Sequence, residues 1–244
     1  MAVLAFTERR KVVPRVERRR NSRLFSGRMK AIPIAIACWL TLRIFLLQAF
    51  DIPSGSMSNT LQVGDVMMVE KALYGATVPF TNLHLPALRE PRRGEILVFR
   101  SVEGDFDMVK RLVGVPGDTL EMVAGRLIRN GHAVAEPYAV HVAGGRSEGA
   151  AARIAMRLWQ LPYFVGADAG DYRPDVQHWG PLVVPKGSLF LLGDNRDDSR
   201  DSRYWGFLPR ANVVGKPWFL SFSLDKSRAG MGTVRWDRLG VEPQ

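Results

Sequence analysis

Cysteine is almost missing from these 244 residues: Cys38 is the only one, and it lies inside an apolar run, so the chain beyond it folds without a disulfide and without thiol chemistry. Histidine is scarce too. His84, His132, His141 and His178 lie in stretches of loop character, and none stands in a metal-ligand spacing such as HExxH. There is no glycine-rich phosphate loop, no internal repeat and no low-complexity tract. Long apolar runs are limited to one, residues 31–50, and nothing later brings the chain back across a membrane. Acidic residues are few at the start: residues 1–30 hold ten Lys or Arg and two Glu, a surplus of eight positive charges, against a surplus of two over the other 214 residues. The formal charge of +10 is therefore not the spread basic surface of a nucleic-acid binder, and no nucleic-acid partner is expected.

The basic arm 1–30 followed by AIPIAIACWLTLRIFLLQAF (31–50) predicts one transmembrane helix with its N-terminus in the cytoplasm, by the excess of Lys and Arg ahead of it. At about 1.5 Å per residue the run spans roughly 30 Å, the hydrocarbon thickness of a bilayer. Pro33 falls in the first turn, where its missing N–H matters little, and Arg43 is near enough to the far end for its side chain to reach the interface. The flank FDIPSGSM lacks the small-residue site of a cleaved signal peptide. A twin-arginine reading of RRRNSRLF is weakened by Arg28 and Lys30, which intervene before the apolar run. Residues 51–244 are then expected on the outer side of the membrane, with the lipid bilayer as a partner and the chain as a monomer.

Beyond the span, short runs rich in Val, Ile, Leu, Met and Phe alternate with turn signals, the punctuation of a mainly β, antiparallel domain. Strands are expected at 66–69, 95–99, 108–115, 188–192 and 213–223. A hairpin is expected between TLEMV and RLIRN across Ala124-Gly125, with a further turn at Asn130-Gly131. Residues 132–182 break the rhythm and read as an inserted smaller lobe with a helix over about 149–161. The catalytic β domain is thus split into 51–131 and 183–224, and 225–244 reads as a loosely held tail.

Three stretches carry chemistry. IPSGSMSNTL (52–61) sets three serines beside the expected membrane surface. DMVKRLVGVPGD (107–118) holds Lys110 among Met108, Val109, Leu112 and Val113, a setting that can strip the charge from an amine and let it act as a base; an exposed sheet-edge lysine is the alternative. LLGDNRDDSRDSRYWGFLP (191–209) interleaves aspartates with Arg196, Arg200 and Arg203. A calcium loop would want Gly and Glu at positions where neither occurs, and the arginines would repel a cation, so no metal is expected.

Together these stretches, with GEILVF and NGHAVAEPY, resemble the bacterial type I signal peptidases, in the family's order, over about residues 50–217 apart from the divergent excursion. The resemblance implies a membrane-bound serine endopeptidase of the inner membrane, with its catalytic domain on the periplasmic side, needing no cofactor. It would cut signal peptides from exported preproteins after an Ala-x-Ala-like site. Carried over by position, it implies Ser56 as nucleophile and Lys110 as general base, with the Ser54 hydroxyl and the Ser56 N–H as oxyanion hole. Ser199 would orient the lysine amine, Asp194, Asp201 and Arg203 would form the supporting network, and Phe50, Ile52 and Val109 would line the substrate pocket. Met57 could help to seat the motif near the bilayer. The family form M-x-P-T-L becomes Met57-Ser58-Asn59-Thr60-Leu61 here, which implies altered loop geometry at Asn59. A relative dedicated to one substrate, a self-cleaving regulator and an inactive binding protein remain as alternatives.

Overall fold

The computed structural model describes residues 31–36, 39, 47–75, 86–142, 149–225 and 232–244. The chain divides into two units, Met1–Ile44 and Phe45–Gln244. In the first, residues 31–36 and 39 are helical, with Ile32, Ile34, Ile36 and Trp39 exposed. Among the described residues no helix is long and apolar enough to cross a membrane. The arm 1–30, and 37–38 and 40–46 of the expected span, lie outside the described residues.

The far end of that expected span is strand. Leu47–Asp51 forms β1, paired antiparallel with β2 (Asp65–Glu70) so that Leu47 faces Glu70 and Asp51 faces Val66. An apolar run reads alike for helix and strand; the pairing partner fifteen or more residues ahead decides, by taking up the backbone N–H and C=O groups of the run. The remaining strands are β3 (Ile96–Arg100), β4 (Asp107–Gly114), β5 (Thr119–Val123), β6 (Arg126–Arg129), β7 (His132–Ala133), β8 (Trp179–Val183), β9 (Ser188–Leu192), β10 (Leu208–Pro209), β11 (Val213–Asp225) and β12 (Thr233–Val234). One sheet runs β1-β2-β11-β3-β4-β9-β10, with β12 added to β11; the other runs β7-β6-β5-β8, and the paired strands are antiparallel throughout. The β5–β6 turn carries Ala124 at φ 49° and Gly125 at φ 74°, the two positive values that a tight two-residue hairpin requires.

Strand β4 lies inside the larger sheet, between β3 and β9, with Leu97 opposite Lys110 and Leu192 opposite Arg111. From Lys110 to Gly114 every residue is buried, so the amine of Lys110 starts from an apolar bed. Ile52, Met57 and Leu61 belong to a cluster with Met67, Val69, Ile96, Val98 and Leu220. Met57 is thus committed to the protein core at 2% exposure and does not face a bilayer. A methionine beside polar residues is drawn inward when a packed cluster offers it contacts on all sides.

Residues 132–182 do not stand apart from the second sheet. They begin at β7 and end in β8, which pairs with β5, so the excursion leaves and rejoins the same four strands. Between them lies the helix Ala150–Gln160, whose Met156 and Gln160 are buried and whose Trp159 packs against Phe190 and Phe207. The tail also departs from its expected looseness. Arg235 and Arg238 reach the fully buried Asp65, and Gly240 N–H donates to the Leu220 carbonyl, so 232–244 is docked. The partner that holds the tail lies some 170 residues earlier in the chain. Local composition could not reveal it.

Candidate active site

The loop between β1 and β2 is tied down before it presents its serine. Ser58 Oγ donates to the Gly55 carbonyl at 2.6 Å, and Leu61 N–H donates to the Met57 carbonyl at 2.8 Å. With Met57 and Leu61 anchored in the core, the single turn Gly55–Met57 leaves Ser56 half-buried and Ser54 exposed, their hydroxyl oxygens 3.4 Å apart. Asn195 grips the same turn from across the molecule. Its side chain donates to the Gly55 carbonyl at 3.1 Å and its backbone N–H to the Ser56 carbonyl at 3.1 Å.

Lys110 Nζ donates to Ser56 Oγ at 2.7 Å and to the Val109 carbonyl at 3.0 Å. The lysine is 4% exposed. Burial, partly offset by the negative charges of Asp201 and Asp194, pulls its pKa down to about 8. An amine with that pKa is neutral in an appreciable fraction near neutral pH and can take a hydroxyl proton.

The expected supporting residues come together, with one rearrangement. Ser199 is buried beside Gly193 and makes no hydrogen bond to Lys110; it lies near the Asp201 carboxylate, and the Val109 carbonyl holds the amine instead. Asp194 is engaged by Arg111, which donates through Nε at 2.7 Å and Nη2 at 2.6 Å, and by the Thr60 hydroxyl at 2.5 Å. Asp201 is fully buried, accepts from Arg203 at 2.8 Å through both Nε and Nη2, and accepts from the Gly193 N–H at 3.0 Å. Burial pushes the Asp201 carboxyl upward, but the charge and hydrogen bonds of Arg203 outweigh it and hold the group below the usual range. Asp194 and Asp201 are thus held by arginines, Asp197 is met by Gln177 and His141, and among the described residues no group of His, Cys, Asp and Glu is placed to hold a metal ion.

Three contributors escaped the sequence reading. Arg111 was visible only as a neighbour of Lys110. It is stacked under the Tyr138 ring at 3.8 Å and bridges Asp194 to the Gly94 and Gln244 carbonyls. Gly193 is the second: a Cβ there would lie 2.2 Å from Ser199 Oγ and 2.5 Å from the Ser56 carbonyl oxygen, so only glycine lets the strand end pass between them. Asn195 is the third. A signal for both lay in the GDN string, a glycine and an amide directly after an apolar strand, but no spacing rule says that they reach the turn of Ser56.

Asn59 sits at φ 87°, a left-handed conformation that asparagine tolerates and proline does not adopt. Its side chain donates to the Tyr138 carbonyl at 3.2 Å, which links the loop of Ser56 to the segment after β7.

A cleft of about 210 Å³ opens beside the Ser56–Lys110 pair and both residues line it. Phe50, Ile52 and Val109 line it too, joined by Phe106 and Met108 from the β3–β4 loop and the start of β4. The strand assignment of 47–51 is what carries Phe50 into this wall.

Residues 26–222 match the family described as signal peptidase, peptidase S26. Among the relatives, signal peptidase I of Pseudomonas aeruginosa is 39% identical over 191 residues, covering 72% of this chain and 65% of its own length. Signal peptidase I of Buchnera aphidicola from Acyrthosiphon pisum is 30% identical over 277 residues, covering 93% of this chain and 84% of its own. A crystal structure of a signal peptidase I from Enterococcus faecalis aligns at 30% identity and a TM-score of 0.36, over 53% of this chain and 98% of that one. The chain spans about 65% of the length of the Pseudomonas relatives that it matches. With the buried Lys110 amine set against Ser56 and residues 26–222 matching the family, this chain belongs to the signal peptidase family, peptidase S26.

Proposed function

We propose that the chain is a membrane-bound serine endopeptidase that removes N-terminal signal peptides from exported preproteins, cutting after an Ala-x-Ala-like site. The observation that carries this reading is the 2.7 Å contact from the buried Lys110 amine to Ser56 Oγ at the wall of an apolar cleft. Neutral Lys110 takes the Ser56 proton as Ser56 Oγ bonds to the carbonyl carbon of the small residue that precedes the cut. The Ser56 N–H and the Ser54 hydroxyl hold the resulting oxyanion, an electrostatic term that in acyl transfer is worth several kcal/mol. Collapse breaks the C–N bond, and the lysine returns its proton to the leaving amine. Water, deprotonated by the same amine, then releases the acyl-enzyme.

The substrate lies extended in the cleft against Phe50, Ile52 and Val109, which accept small apolar side chains. Asp194, Asp201 and Arg203 keep the site in register beneath it, with Ser199 packed against them. The basic arm and the apolar residues ahead of β1 anchor the chain as a single-pass monomer in a bacterial inner membrane, N-terminus cytoplasmic and catalytic unit outside. The test is cleavage of a preprotein bearing an Ala-x-Ala site by detergent-purified protein, with Ser56→Ala and Lys110→Ala in parallel. Cutting by the unsubstituted protein and by neither variant is expected. A Lys110→Ala variant that cuts as well as the parent overturns the assignment of the base.

A further inference from the structure

Nothing in the proposed reaction uses the helix Ala150–Gln160, yet one of its side chains reaches the ion pair beneath the site. The Trp159 indole N–H donates to the Arg203 carbonyl at 2.9 Å. Its ring packs edge-on against Phe207 at 5.5 Å and near Phe190 at 6.4 Å, and Gly206, at φ 88°, leaves room beneath it. The short helix Ser202–Trp205 that receives this bond is capped by Asp201, and its Arg203 pairs with Asp201 through two hydrogen bonds of 2.8 Å. A second tether from the same excursion, the Val176 carbonyl, meets the Arg203 guanidinium at 3.5 Å. A four-residue helix has too few internal hydrogen bonds to fix its own position. Here the excursion supplies that fixation from outside.

We propose that Trp159 is a positioning residue: its hydrogen bond to the Arg203 carbonyl lets the excursion between β7 and β8 hold the Asp201–Arg203 pair in place under Lys110. This rests on the peptidase reading above. The charged groups facing Lys110 are Asp201 and Asp194, which favour its protonated form, and Arg203, which opposes it. Arg111, next on β4, is turned onto Asp194, and the flanking strands bring Leu97, Leu191 and Leu192 alongside. Asp201 keeps its own tie to the Gly193 N–H, so loss of the Trp159 bond releases Arg203, which then withdraws from both Lys110 and Asp201. Each withdrawal stabilises the ammonium, so the lysine holds its proton to higher pH.

The experiment uses the full chain and compares Trp159→Phe with Tyr172→Phe. The first keeps an aromatic ring on Phe190 and Phe207 but removes the N–H. The second loosens the excursion elsewhere, where Tyr172 bonds Gln160 and the Gly180 N–H, and touches nothing on Arg203. In Trp159→Phe the acid limb of kcat/KM against pH is expected to move up by roughly half a pH unit, about a three-fold loss on that limb, with KM and the alkaline plateau unchanged. In Tyr172→Phe the limb stays where it is. A limb that does not move in Trp159→Phe, or a rate that falls by one factor at every pH, overturns the proposal; Trp159→Tyr removes the same N–H should the phenylalanine variant not fold. Titration of Lys110 by nitrogen-15 NMR reads the same displacement without substrate. An upward displacement there in a protein that never cleaves leaves the role of Trp159 standing and removes the peptidase reading instead.

Discussion

Replacing Lys110 by methionine is expected to abolish cleavage and to stabilise the protein by an amount that shrinks as pH rises. The folded amine titrates at about 8, against 10.5 for a free lysine, because burial disfavours its charged form more than Asp201 and Asp194 favour it. That gap of about 2.5 corresponds to a folding penalty of about 3 kcal/mol whenever both states carry the proton. Below pH 8 both do, and the penalty is felt in full. As pH climbs through 8, the folded amine releases its proton while the unfolded one keeps it, so the penalty declines, to about 1 kcal/mol at pH 10. Methionine has a similar length and no charge, so Lys110→Met escapes the penalty at every pH. It forfeits the hydrogen bond to Ser56, a pH-independent loss of about 1 kcal/mol. The diagnostic is therefore the change in the difference between the two proteins, about 2 kcal/mol from pH 6.5 to pH 10. For a unit of this size that is a narrowing of roughly 4–8 °C in the gap between melting temperatures. Thermal unfolding in one detergent at both pH values measures it. A gap that does not change with pH would mean that Lys110 is not held at a depressed pKa, and the general-base argument would fall with it.

Two further outcomes follow from the backbone. Asn59→Pro forces φ from 87° to about −65° and removes the tie to the Tyr138 carbonyl, so a loss of stability greater than about 1 kcal/mol and a fall in cleavage are expected; Asn59→Gly should retain the melting temperature within a few degrees. An Asn59→Pro variant that melts and cuts like the parent would refute the left-handed conformation. Gly193→Ala places a methyl 2.2 Å from Ser199 Oγ and 2.5 Å from the Ser56 carbonyl oxygen, so it should lower kcat at least ten-fold through displacement of the nucleophile turn, with KM little altered; an unchanged kcat would count against that contact.

Most strands of this protein could be read without coordinates. Residues 66–69, 95–99, 108–115, 188–192 and 213–223 announce themselves by apolar and β-branched content between turn residues, and β2, β3, β4, β9 and β11 lie there. The Ala124-Gly125 and Asn130-Gly131 turns were legible for the same reason: the demand for positive φ is local, and the residues that meet it are few. The helix at Ala150–Gln160 could be anticipated too. In the site, the serines of 52–61 stood out by their place directly after the apolar run and Lys110 by its apolar neighbours, while the roles expected of them came only from the resemblance.

What only the tertiary structure decided is everything that depends on a distant partner. Whether 47–51 is the end of a helix or an edge strand turns on β2; whether Met57 faces lipid or core turns on the cluster around Leu61 and Leu220; whether 232–244 hangs loose turns on Asp65. The same holds within the site. Asp194 pairs with Arg111 and Asp201 with Arg203 because burial leaves each carboxylate only the cation that folding brings within reach, and the Lys110 amine rests on a carbonyl rather than on Ser199. Residue types and their order determined which chemistry the chain could carry. The three-dimensional packing, by setting which charges are desolvated together and at what distance, determined the depressed pKa of Lys110 and the place of Ser56 before it.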